Sequence, residues 1–201
     1  MEPRRFVDDG TYFVDFLDDV LVSCPRCGAA AHVTTTPPYW TSSPRFVCAA
    51  CTLVIEGRHA RWFGPVHGHA GGRCGGCGQR VATAVDGRDT SPAFIDVQCA
   101  GCGAVARLAV SWSYETHGAA LEPSFGLDLL LQTPCAGEVL WAYNVRHLDF
   151  LAEFVGAAHR RYTHVRNGSL PSRLPRWMKL ATNRATVLKS IEVVRARATG
   201  L

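Results

Sequence analysis

Cys24-Pro25-Arg26-Cys27-Gly28 and Cys48-Ala49-Ala50-Cys51-Thr52 are the first two of four C-x-x-C pairs in this chain. Cys74-Gly75-Gly76-Cys77-Gly78 and Cys99-Ala100-Gly101-Cys102-Gly103 are the others. Twenty residues separate the first pair from the second, and 21 separate the third from the fourth. Two thiolates with two residues between them reach one metal ion, and a tetrahedral site then needs a second pair from elsewhere in the chain. The spacing is that of four-cysteine zinc sites, the second gap being one residue beyond the usual range. Cys24 to Cys74 is 50 positions and Cys48 to Cys99 is 51. Such a repeat predicts one small unit used twice. Two Zn2+ ions are expected, one on Cys24, Cys27, Cys48 and Cys51, the other on Cys74, Cys77, Cys99 and Cys102.

Other readings of the cysteines carry less weight. A redox C-x-x-C belongs in a thioredoxin-like βαβ context, which the surrounding sequence lacks. Iron–sulfur ligation uses the same donor set, but the spacing favours zinc. The pairs could interleave, first with third and second with fourth; the repeat argues for sequential pairing, because each half then holds its own ion. Catalytic zinc keeps an open position, and four cysteines leave none, so both sites read as structural. His67 and His69 precede Cys74 and could replace a ligand, although Gly68, Gly71 and Gly72 favour a polar linker there. Cys135 is the ninth cysteine. Flanked by apolar runs, it reads as a buried small hydrophobe.

The sequence around the pairs reads as strand. Ala31 to Thr36, Arg45 to Val47 and Leu53 to Ile55 surround the first two pairs, and Phe94 to Val97 and Val105 to Trp112 surround the last. Pro37-Pro38 and Asp86-Gly87 mark the expected hairpin turns. Glycine follows three of the four pairs and permits the tight turn each requires; Thr52 is the exception. Units of this size have too little core to fold alone, so metal binding is expected to supply much of their folding free energy.

The second half changes character. Leu127 to Leu131 and Val139 to Tyr143 flank Pro134-Cys135-Ala136-Gly137 and predict a β-hairpin. Asn144 can cap a helix from Val145 to Tyr162, with Leu148, Leu151, Phe154, Val155 and Ala158 on one face and Arg146, Asp149, Glu153 and Arg160 opposite. Asn167-Gly168-Ser169 and Pro171 break the chain. A short helix follows Pro175, and Thr182 or Asn183 can cap a last helix reaching Ala198. The fold expected is α+β: two small β zinc ribbons in tandem, then a β-hairpin and a helical C-terminal region. The units run over residues 1–70, 71–116 and 117–201.

Charge divides along the same line. From Gly156 onward, ten basic residues, Arg166 among them, face the single acid Glu192, a net +9; the remaining eleven basic and sixteen acidic residues leave −5. This asymmetry points to an anionic partner. Arg173, Arg176, Trp177, Lys179, Arg184 and Lys189 are the candidate DNA or RNA contacts, cations beside an aromatic suiting phosphates with base stacking. Alternatively, Asp8, Asp9, Asp15, Asp18 and Asp19 near the N-terminus could face the tail internally. No apolar run approaches the roughly 18 residues that span a bilayer. Nine cysteines without a secretory leader suggest a cytoplasmic protein with no membrane association.

The halves from Cys24 to Cys51 and Cys74 to Cys102 resemble the zinc ribbons of transcription factors, polymerase subunits and ribosomal proteins. Leu140 to Asn144 with His147-Leu148, and Ser172 to Pro175 with Trp177, are similar to the C-terminal part of small bacterial zinc-ribbon proteins. The resemblance implies a non-catalytic protein that binds nucleic acid or takes part in transcription, or one that acts as a protein adaptor within a larger complex. An enzymatic site near Cys135 and His147 has no motif to support it.

Overall fold

The computed structural model describes residues 5–39, 41–57, 61–87, 92–114, 120–162 and 168–198. Its strands are β1 (Arg5–Val7), β2 (Asp19–Ser23), β3 (Ala30–Thr34), β4 (Arg45–Val47), β5 (Val54–Glu56), β6 (Val66–Arg73), β7 (Arg80–Gly87), β8 (Phe94–Gln98), β9 (Val105–Tyr114), β10 (Leu131–Cys135), β11 (Glu138–Ala142) and β12 (His159–Arg161). Helix α1 (Val145–Gly156) lies between β11 and β12, and α2 (Leu170–Arg173), α3 (Arg176–Lys179) and α4 (Arg184–Ala198) follow. The fold is α+β, as expected.

Two four-stranded antiparallel sheets carry the cysteines, ordered β2-β3-β4-β5 and β7-β6-β9-β8. Both follow the period-two pattern of a half-buried strand. Ala31 and Val33 are buried while His32 and Thr34 face solvent, and Ala106 and Leu108 are buried between exposed Val105, Arg107 and Ala109. β2 departs from alternation because both its faces and both its edges are used. Val20, Leu21 and Val22 are all buried. One edge pairs with β3; along the other, Leu21 N donates to Tyr143 O (2.8 Å), Leu130 N to Leu21 O (3.0 Å) and Ser23 N to Asp128 O (2.9 Å).

That pairing makes the first ribbon part of the main body. One core holds Val20, Val22, Val33 and Phe46 from the ribbon, Leu131 and Leu140 from the β10-β11 hairpin, Leu148 and Phe154 from α1 and Val187, Ile191 and Val194 from α4. The second ribbon has its own small core: Ala70, Cys74, Val81, Cys99, Ala106 and Leu108. Asn144 fastens the main body. Its Oδ1 accepts from His147 N (3.0 Å), capping α1 as expected, and its Nδ2 donates to Phe16 O and Asp19 O, both at 2.9 Å.

Several elements differ from the sequence reading. Residues 66–73 form strand β6 rather than a linker; Val66, Gly68 and Ala70 point inward and His67 and His69 outward. Asp86 and Gly87 continue β7, because they pair with His67 and Val66. The β10-β11 turn is tighter than expected, with Ala136 (φ +54°) and Gly137 (φ +84°) both in the left-handed region that a two-residue hairpin requires. Helix α1 stops at Gly156, six residues early, because residues 159–161 pair in parallel with β1. Arg160, expected on the helix face, instead donates to the terminal carbonyls of α1, at Phe154 (2.9 Å) and Val155 (3.2 Å). It thereby satisfies acceptors that the helix leaves open. Of the expected break, Asn167 lies outside the described residues, as does Arg166 of the basic segment.

The acidic N-terminal segment does meet the C-terminal region. Asp8 is buried and accepts from Ser169 Oγ (2.5 Å), Leu170 N donates to Thr11 O (2.7 Å), and Asp18 pairs with Arg146. Among the described residues, no helix is long and apolar enough to cross a membrane.

The second ribbon meets the main body at Trp62. Its Nε1 donates to Pro65 O (3.1 Å), its ring lies 4.9 Å from that of Tyr114, and Phe63 N donates to Phe125 O (2.8 Å). Gly126, at φ +67°, sits under this ring: a Cβ there would lie 2.6 Å from Trp62 and 2.7 Å from the Gly64 nitrogen. Gly126→Ala is therefore expected to cost at least about 2 kcal/mol, combining left-handed strain with overpacking. Gly28→Ala has open space and should cost about 1 kcal/mol. Urea denaturation of the two variants tests the difference.

Candidate metal centres

Each pair of C-x-x-C turns brings four sulfurs together. Sγ atoms of Cys24 and Cys51 are 3.6 Å apart, as are those of Cys27 and Cys48; in the second ribbon, Cys74 and Cys102 are 3.5 Å apart and Cys77 and Cys99 3.7 Å. Within each cluster all sulfurs lie within 4.8 Å of one another. Four sulfurs about 2.3 Å from a common centre are about 3.8 Å apart, so the clusters have the size of a tetrahedral thiolate site. Disulfide sulfurs would be near 2.0 Å, and none of the nine cysteines is so bonded. The pairing is sequential, one cluster per repeat. His67 and His69 belong to neither cluster; His67 instead pairs with Asp86 across the β6-β7 strands (2.6 Å).

One backbone design recurs at the turns. Cys24 N donates to Ala29 O (2.8 Å) and Gly28 N donates to Cys24 O (2.9 Å); the same two bonds recur at Cys74 and at Cys99. Gly28, Gly78 and Gly103 all have φ +73°. Thr52 occupies the equivalent place at φ +56°, a conformation that costs a β-branched residue about 1–2 kcal/mol. Amides aim at the first sulfur of each ribbon, Arg26 N at Cys24 Sγ and Gly76 N at Cys74 Sγ, both 3.4 Å.

These amides bias the protons. Burial raises the Cys24 thiol, but the amides of Arg26 and Cys27 outweigh it and bring the pKa down to about 7. The amides of Cys77 and Gly76 bring Cys74 down to about 6. The Ala29 amide lowers Cys27, yet burial and the neighbouring thiols prevail and push it up to about 12. Cys102 follows, its Ala104 amide outweighed by the thiols of Cys77 and Cys74, and also reaches about 12. In each cluster one thiol is lowered, Cys24 or Cys74, while its neighbours raise Cys27 or Cys102, a charge crowding that a bound dication relieves.

The six candidate nucleic-acid contacts divide. Arg173, Arg176 and Lys189 are exposed. Lys179 Nζ donates to Ser172 O (2.8 Å) and Arg184 Nη2 to Ala157 O (3.1 Å), so these two cations hold the helical region together. Trp177 is partly buried against the main core. Cys135 is buried. His147 is buried too, stacked on Phe16 at 4.7 Å, and burial pushes its pKa down to about 3, leaving it neutral. The sequence reading passed over Arg73, Arg80 and Arg107, exposed on the second ribbon. The alternation of apolar and polar residues along β6, β7 and β9 was the signal for them.

No protein-family model matches the sequence, and neither a curated protein nor a solved structure shows a significant match. The likeness of the C-terminal part to bacterial zinc-ribbon proteins gains no support from these searches. The eight cysteines rest on geometry alone.

Cys48→Ala is expected to lower the bound metal from two ions to one and to disorder the first ribbon, and Cys99→Ala to do the same for the second; Cys135→Ala should keep both. Native mass spectrometry with hydrogen exchange reads both outcomes. Thr52→Gly, which relieves the left-handed strain, should stabilise the first ribbon by about 1 kcal/mol in urea denaturation.

Proposed function

We propose that each cluster holds a structural Zn2+ and that the protein is a non-catalytic nucleic-acid-binding or transcription-associated protein of the cytoplasm. The observation that carries the metal assignment is the four-sulfur geometry. A donor set of four thiolates suits zinc, and with all four positions taken no place remains for a reacting water or substrate. Closed sites of this kind fix backbone shape, and the functional surface then lies on the strands and helices they hold.

The nucleic-acid reading is supported by exposed cations on separate parts of the surface: Arg176 and Lys189 in the helical region, and Arg73, Arg80 and Arg107 on the second ribbon. A second reading, a protein adaptor or accessory subunit, draws on the internal use of Lys179 and Arg184 and on the exposed apolar side chains Val139 on β11 and Val145 at the start of α1. The two readings separate on salt dependence. Binding to phosphates releases counterions and weakens steeply as salt rises; docking through Val139 and Val145 would be far less affected.

The zinc-loaded protein is expected to bind fluorescein-labelled oligonucleotides in anisotropy titrations at low salt, with affinity falling linearly in log[salt]. Absence of binding to both RNA and DNA at low salt would exclude the nucleic-acid reading. A stoichiometric protein partner that survives nuclease treatment would then establish the adaptor.

A further inference from the structure

One face of the second ribbon is bare across all four strands. In the register of β6 and β7, His69 lies opposite Ala84, Gly71 opposite Ala82 and Arg73 opposite Arg80. On the other side His69 lies opposite Ser111 of β9, and Ala109 and Arg107 of β9 pair with Phe94 and Asp96 of β8. Side chains alternate between faces, so these residues share one surface, and every one is exposed. Ala70, Val81, Ala106 and Leu108 take the opposite face as the ribbon's core.

The bare face is shaped and charged for a polyanion. An open trough of about 930 Å³ runs over β6, floored by Gly71, Ala82, Ala109 and Ser111. Arg73, Arg80 and His69 line it, and no carboxylate does among the described residues. Two acids share the face: Asp86 of β7 is bonded to His67 at the far end, and Asp96 of β8 lies opposite Arg107. At the opposite rim Arg107 stands over the Phe94 ring, 5.0 Å from its centroid, and Phe94 is 51% exposed. A protein partner seeks large apolar anchors in a desolvated centre; this centre offers glycine, alanine and serine. Small residues let a backbone approach closely, arginines on the rim neutralise phosphates, and an exposed aromatic ring offers a stacking surface.

We propose that this face, built on β7-β6-β9-β8, binds a single-stranded nucleic acid, with phosphates on Arg80 and Arg107 and a base against Phe94; Arg73 is held at the rim by its bond to Gly78 O (3.1 Å). The proposal rests on the nucleic-acid reading above and assigns it to the second ribbon instead of the basic helical region. It also gives a use to the glycines of β6. At Gly71 a Cβ would meet nothing nearer than 4.0 Å, so the strand has room for a side chain and carries none.

The test uses the full-length, zinc-loaded chain and a fluorescein-labelled oligouridylate of about 20 nucleotides, a length that covers the site of one small binding fold. In the double variant Arg80→Gln/Arg107→Gln, affinity should fall at least tenfold, and the slope of log K against log[salt] should become shallower by about 1.4, two phosphate contacts on a single strand. Gly71→Gln, which fills the trough, should weaken binding with the metal content unchanged. Arg176→Gln/Lys189→Gln, which removes the exposed cations of the helical region, should lower the affinity less than the ribbon double variant does. Chemical-shift mapping on the wild type, which needs no variant to fold, should place the perturbed amides on β6, β7 and β9. Wild-type binding that is lost in the helical-region variant and kept in the ribbon variants, or shifts confined to α3 and α4, would overturn this site while leaving the nucleic-acid reading intact. Tighter binding to a duplex of the same length would overturn the single-strand assignment. No binding by the wild type would remove the reading itself.

Discussion

Four thiolates converging on one point set the geometry of each half of the cysteine-bearing region. The constraint is most severe in the second ribbon. Its core consists of six buried residues, two of which are cysteines, and of two alanines among the remaining four. Apolar burial on that scale contributes a few kcal/mol at about 25 cal/mol per Å², too little to hold a unit of this size folded alone. Metal binding is the one available term of sufficient size, since a structural zinc supplies about 10–16 kcal/mol to small domains of this kind. Everything the second ribbon presents to solvent depends on that clamp.

The two ribbons use the same clamp in different surroundings. In the first, β2 is bonded along both edges and buried on both faces, so the ribbon shares its core with α1 and α4. The second ribbon joins the body through the Trp62–Gly126 contact and keeps a whole sheet face open. One repeat shares the main core, and the other keeps a core of its own and an open sheet face. The cations follow the same division. Arg160, Lys179 and Arg184 donate to backbone carbonyls and stabilise the helical region, whereas Arg80 and Arg107 are exposed on the open sheet face, Arg107 over the Phe94 ring.

Much of this was legible in the cysteine spacing, because ligand geometry translates directly into positions along the chain. The repeat gave the sequential pairing, and Asn144 announced the cap of α1 through its own side-chain chemistry. What escaped the sequence depended on long-range partners. Residues 66–73 carry three glycines and two histidines and look like a linker; they form a strand because β7 and β9 flank them, and Gly68 is required where a Cβ would lie 2.7 Å from the Trp112 ring. The early end of α1 depends on β1, more than 150 positions away. The basic tail read as one surface because net charge says nothing about which cations meet carbonyls.

The central claim is that two closed, all-sulfur zinc sites hold the ribbons in shape. X-ray absorption spectroscopy of the purified protein at the zinc edge tests it most directly. The account predicts a single shell of four sulfur scatterers at about 2.3 Å with no nitrogen or oxygen contribution. A shell containing nitrogen or oxygen, or an iron signal in place of zinc, would contradict it.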